Sequence, residues 1–288
     1  MSSLQKGVRV PQKPYGPWTR PARLLLIFAS IVAALAAAAA VRFGILVYWQ
    51  RQAIDEIDRL QGDIVTCERG PAWLRRRLDA EQTASFDDVI EVNLLGAPVT
   101  ESTLEKIGGL SVVRVLWLQN TPVTDGALFH LKGMRSLQRI DLAGTRITGA
   151  GLSYMSGLAG LQEIELADTH VSDAGLVHLR SLRSLQILGL SGTQVGDAGL
   201  ANLAELERLQ VLGLGATQVT DAGLVHLEKL AALEWLALHD THVSDAGLAH
   251  LKSMSGLRHL SLHHTQMTQA GVAALKAALP TLTVAGIE

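Results

Sequence analysis

Residues 182–203 read LRSLQILGLSGTQVGDAGLANL, and positions 206–227, 24 residues on, read LERLQVLGLGATQVTDAGLVHL. Both fit one frame, L-x-x-L-x-x-L-x-L-x-x-T-x-V-x-D-A-G-L-x-x-L. Moving outward in steps of 24, its Thr recurs without a slip at Thr121, Thr145, Thr169, Thr193, Thr217, Thr241 and Thr265. A fixed period of this size means a solenoid, in which no single unit buries its own core and the row does so together. A degenerate earlier copy carries Phe86, Val89, Val92, Leu94, Ala97, Val99, Leu104 and Ile107. The array therefore comprises eight repeats over 86–275 and a terminal fragment around Leu279, Leu282 and Val284.

Each part of the frame has a local structural meaning. In Leu188-Gly189-Leu190 the leucines alternate with an open position, so every copy contributes a short strand, and stacked copies build a parallel sheet with its leucines on the buried side. The segment Val171-Ser172-Asp173-Ala174-Gly175-Leu176 opens a helical turn. Ser172 is expected as its N-cap, Asp173 at its positive end and Val171 as a staple, with Leu176 and Leu179 returning to the core. Gly151, Gly175, Gly199, Gly223, Gly247 and Gly271 form one column at a place where Gly is a poor helix former, which implies close packing against the neighbouring coil. The Thr column is expected to pack its methyl inward and satisfy loop groups with its hydroxyl.

These residues resemble the leucine-rich repeat family, in a 24-residue variety with Thr where the commonest form has Asn or Cys. The resemblance covers about two thirds of the chain. It implies an α/β solenoid with a curved parallel β-sheet on the concave side and short helices on the convex side, used as a recognition surface without chemistry of its own. The preceding IDEIDRLQGDIV, GPAWLRRRL and FDDVIEVNL look like the N-terminal cap of membrane-anchored bacterial leucine-rich-repeat proteins.

The N-terminal quarter reads differently. Leu24 to Val41 is an apolar run with one Ser and no charge, and after Arg42 the stretch FGILVYW continues to Trp49. At 1.5 Å per residue these lengths give ~27 and ~39 Å, enough for a hydrocarbon core of ~30 Å. Lys6, Arg9, Lys13, Arg20 and Arg23 precede the run, and the first carboxylate is Asp55. The charge bias thus places residues 1–23 in the cytoplasm as a basic tail, 24–49 as a single transmembrane helix, 50–85 as linker and cap, and 86–288 as the repeat domain outside. A cleaved signal peptide, with a cleavage site in the alanine run 36–40, is the competing reading and leaves a secreted repeat protein.

On a solenoid, function belongs to the positions that the frame does not dictate. The strand column ahead of the first core position runs Glu91, Val115, Arg139, Glu163, Ile187, Val211, Trp235, His259; the next runs Asn93, Trp117, Asp141, Glu165, Gly189, Gly213, Ala237, Ser261. These columns give an acidic N-terminal part, a small apolar middle that leaves room for a partner, and a C-terminal part rich in Trp and His. The candidate ligand-binding residues are Trp117, Ile187, Val211, Trp235, His239, His259 and His263, because exposed aromatics dominate interface energetics. His130, His178, His226 and His250 follow the repeat template on the convex side. His239 and His263 with Asp240 form at most a weak metal pair, so no metal ligand is assigned.

Catalytic and cofactor motifs are absent: there is no H-E-x-x-H, G-x-S-x-G, Walker A or EF-hand pattern, and no cofactor or enzymatic activity is expected. The single cysteine, Cys67, excludes an internal disulfide. From Asp55 onward, 18 basic residues face 27 acidic ones, which argues against a nucleic-acid partner. A row of eight strands suits a protein or an envelope component rather than a small-molecule substrate. Repeats of the T-x-V-[ST]-D-A-G-L type also resemble those of F-box ubiquitin-ligase subunits, which makes a substrate adaptor the alternative.

Overall fold

The computed structural model describes residues 20–68, 76, 77 and 87–286, and within its first helix the side chains of all but 20–26, 39, 40 and 43. Phe86, most of GPAWLRRRL and nearly all of the expected basic tail lie outside the described residues. The chain divides into two compact units, Met1–Val47 and Tyr48–Glu288.

Helix α1 (Arg20–Arg59) starts in the first unit and ends in the second. The expected span 24–49 lies within it, with the side chains of 24–26, 39, 40 and 43 outside the described set. Among the described residues no helix is long and apolar enough to cross a membrane.

The second unit is built on a ten-stranded sheet whose order follows the chain. Strands β2 (Asp88–Asn93), β3 (Val115–Trp117), β4 (Arg139–Asp141), β5 (Glu163–Glu165), β6 (Ile187–Gly189), β7 (Val211–Gly213), β8 (Trp235–Ala237) and β9 (His259–Ser261) are the eight expected repeats, and the terminal fragment adds β10 (Thr283–Ala285). All pairs from β2 to β10 are parallel and in register, so Ile187 meets Val211 and Val211 meets Trp235. Strand β1 (Asp63–Cys67), which the repeat frame does not announce, pairs antiparallel with β2 and caps the row.

The central strand positions Leu116, Ile140, Ile164, Leu188, Leu212, Leu236 and Leu260 are at most 2% exposed, as are Leu118 to Leu262 in the following column. Each side chain so buried contributes ~1.5–3 kcal/mol relative to exposure, which is why the leucine positions barely vary. The Thr column is buried from Thr121 to Thr241 and half-buried at Thr265, and each hydroxyl donates to the leucine carbonyl three residues earlier at 2.5–2.8 Å. The residue just before it holds a left-handed backbone in every repeat: Gly96, Asn120, Gly144, Asp168, Gly192, Ala216, Asp240 and His264, with φ between 53° and 70°. Gly, Asn and Asp suit that conformation and His264 tolerates it better than most side chains; Ala216 adopts it against the preference of an L side chain.

Short α or 3-10 turns such as Asp173–Leu176 and Asp221–Leu227 return the chain along the far side. Their first-turn aspartates do more than sit at a helix end. Asp125, Asp197, Asp221 and Asp245 each accept the backbone N–H of the Thr or Ser 23 residues later, at 2.7–2.8 Å, and its hydroxyl at 2.6 Å. These bonds hold the Asp245 carboxyl below its ordinary value. The glycine column follows from the same clamp, because a Cβ on Gly199, Gly223, Gly247 or Gly271 would collide with the aspartate of the preceding coil. The expected N-cap bond of Ser172 is not made. In the coil before it, Gly149 stands at the clamp position, so no carboxylate orients the Ser172 hydroxyl, and a Cβ at Gly175 would instead strike the Gly149 backbone.

Residues 48–59 of α1 close the core at its start, with Ala53 and Ile57 fully buried. Beside them Glu56, 6% exposed, accepts from Thr103 Oγ1 at 2.9 Å and pairs with Lys106 at 2.7 Å and Arg59 at 2.5 Å. Thr103 and Lys106 belong to α2 (Glu101–Gly108), whose Thr100 forms a capping box with Thr103. Arg59 and Lys106 hold the Glu56 carboxyl down at about 2 against the opposing effect of burial.

Candidate functional site

The alternation that buries the leucines turns both variable columns to the open face of the sheet. Four of the predicted residues come together in the way the columns require. Ile187 and Val211 are half-buried, Trp235 is 39% exposed and His259 is exposed, and all four stand side by side on β6 to β9. Trp117 lies apart on β3, half-buried, with its indole N–H donated to Glu91 Oε1 at 2.7 Å.

The histidines do not converge. The His239 ring lies over Gly215 of the preceding coil, where a Cβ would strike its Cε1 and Nε2. His263 is exposed, and Asp240 Oδ1 faces His264 Nδ1 at 2.9 Å rather than the His239–His263 pair. Among the described residues no group of three His, Cys, Asp or Glu side chains could hold a metal ion. Of the convex histidines, His130 Nε2 faces Glu101 at 3.4 Å and His250 Nδ1 faces Glu228 at 2.6 Å, contacts between the backs of neighbouring coils.

The glycines in the middle of the face leave less room than their size suggests. The Glu165 carboxylate lies across Gly189 as His239 does across Gly215, so the floor of the apolar middle is bracketed by an acid and an imidazole. Gly213, with Ser191 Oγ as its nearest neighbour, is the small position left between them. Toward the N-terminal side Arg139 pairs with Glu163 at 3.0 Å. Asp141 Oδ1 accepts Ala143 N–H at 2.9 Å and Glu165 Oε1 accepts Ala167 N–H at 3.2 Å. Burial pushes both carboxyls above their ordinary values, and the charges of Asp141 and Glu163 push Glu165 further the same way. The sequence marks the acidic positions; that Glu163 is neutralised while Asp141 and Glu165 are not depends on contacts between strands.

The in-register leucine, threonine and left-handed rows define a solenoid of leucine-rich repeats. Residues 133–156 and 181–204 match the Leucine Rich repeat family model, which agrees with the leucine-rich-repeat fold of the row. Among solved structures it resembles internalin C2 from Listeria monocytogenes str. 4b F2365, with a TM-score of 0.52 and 23% identity over 62% of this chain and 83% of that one. None of the curated proteins matches the chain.

Proposed function

We propose that this is a membrane-anchored leucine-rich-repeat protein whose open sheet face, presented outside the cytoplasm, binds another protein or an envelope component without chemistry of its own. The observation that carries the binding role is the row Ile187, Val211, Trp235, apolar side chains left accessible on three adjacent strands although the neighbouring columns are free to vary. Such a row desolvates a partner's anchor residue, and truncating a central Trp typically costs ~2 kcal/mol or more of binding. The anchoring role is supported by the basic-to-apolar charge step and by Ile27, Phe28, Ile31, Val32, Leu35, Val41, Ile45 and Leu46, all at least 41% exposed on α1. A helix apolar all round needs a nonaqueous surrounding.

Trp235→Ala is expected to lower capture of the physiological partner at least ~10-fold while changing stability by less than ~0.5 kcal/mol, because the side chain lies outside the core. Equal capture by both forms moves the binding site away from this row. The full chain should remain with membranes through a carbonate wash, and a reporter fused after Glu288 should register outside the cytoplasm; a soluble product starting near residue 41 establishes cleavage instead.

A further inference from the structure

We infer that the open sheet face takes an extended segment of a partner protein in which a basic side chain stands two to four residues from an apolar one, the basic group on Asp141 and Glu165 and the apolar one on Ile187, Val211 and Trp235. This rests on the reading that the face binds a protein, and adds the partner's chemistry to it.

Charge complementarity argues for the basic group. Of the four carboxylates in the N-terminal half of the face, Glu91 is engaged by the Trp117 indole and Glu163 by Arg139. Asp141 and Glu165, on neighbouring register positions of β4 and β5, meet only backbone N–H groups and no cation among the described residues. Two partly desolvated carboxylates without a counter-ion are a standing electrostatic cost, and a Lys or Arg brought by the partner removes it. An anionic partner meets repulsion at the same place.

Spacing argues for the extended segment. Glu165 lies across Gly189, which shares β6 with Ile187 two positions away. With ~4.8 Å between strands and ~3.3 Å per residue along one, Ile187 lies ~7 Å and Trp235 ~12 Å from that carboxylate. An extended peptide covers ~7 Å in two residues and ~13 Å in four, with both side chains on the same side. One segment therefore reaches the acids and the apolar row together.

The test is selection of phage-displayed random dodecapeptides on the full-length protein in neutral-detergent micelles, beside Trp235→Ala and the double variant Asp141→Asn, Glu165→Gln. Wild type should enrich peptides with Lys or Arg two to four residues from Leu, Ile, Phe or Trp. A synthetic copy of the enriched peptide should bind the double variant about tenfold more weakly, the loss of one charged contact, whereas its Lys→norleucine version should bind both forms equally. The thermal melt of Trp235→Ala should match wild type, and that of the double variant should match or exceed it because the uncompensated charges are gone. Enriched peptides lacking a basic residue, or equal binding by the double variant, overturn the charge assignment and leave the docking reading standing. Enrichment no greater on wild type than on Trp235→Ala overturns the docking reading itself.

Discussion

At Asp197 one carboxylate closes a coil onto the next, accepting the Thr220 N–H at 2.8 Å and its hydroxyl at 2.6 Å, and its bulk dictates glycine at 223. Asp197→Ala should cost ~1–3 kcal/mol by leaving half-buried donors without an acceptor. Gly223→Ala should cost a similar ~1–3 kcal/mol through steric overlap. Because the Gly223 clash is largely with that carboxylate, the double variant should lose less than the two singles together, which chemical denaturation of all four forms measures. Ala216 offers the opposite sign. Its left-handed backbone costs an L residue roughly 1–2 kcal/mol, and glycine returns part of that as unfolded-state entropy, so Ala216→Gly should raise stability by ~0.5 kcal/mol. Gly and Thr columns are legible from spacing alone, since one residue type recurs at each step. The clamp is harder to see because its partners stand 23 residues apart in different coils, where Asp reads as an ordinary helix-start residue. Ala216 and His264 likewise obscure a left-handed row otherwise visible as Gly, Asn and Asp.

Among the elements, the joint between the end of α1 and α2 rests on the least expected group. Glu56 is buried only because Arg59, Lys106 and Thr103 converge on it, and the last two lie 50 and 47 residues away, beyond the reach of any local pattern. Its folded carboxyl is depressed to about 2 from an ordinary 4.5. A depressed carboxylate contributes stability that is fully present above the unfolded value and lost as pH falls from about 4.5 toward 2. Discounted for solvent around the exposed Arg59, that contribution is ~1–2 kcal/mol. Glu56→Gln should lose this amount at pH 7 and flatten the fall in melting temperature between pH 5 and 3, which a calorimetric pH series reads. A variant tracking wild type through that range would show that the pairs add nothing. Strand β1 was illegible for a related reason, since it belongs to no repeat and its apolar residues, Ile64 and Val65, are too few to set a period.

At the largest scale the second unit, Tyr48–Glu288, behaves as a row in which each coil is held by its two neighbours, and its strict period makes that testable by excision. Deleting residues 194–217 joins Thr193 to Gln218, equivalent steps of the frame, so every later strand, leucine and Thr keeps its column. The seam places Thr220 over Asp173, where Gly196 now stands with a backbone N–H but no hydroxyl, so the hydroxyl bond that Thr220 makes to the excised Asp197 is taken over by Asp173. Such a chain should fold with an unchanged circular-dichroism signal per residue, at a lower melting temperature because one coil and one interface are missing. Deleting only 206–217 is the decisive contrast. It removes half a period and sets the turn of one coil against the strand of the next, turning leucines to solvent and leaving the Asp197 carboxylate without its Thr. That chain should show no cooperative transition, since a half-step register buries none of the rows. Equal behaviour of the two deletions would mean that the units fold without reference to their neighbours. The same logic reaches the open face: the 24-residue excision brings Ile187 directly beside Trp235 and removes Val211, so it should retain the fold while narrowing the apolar row by one strand.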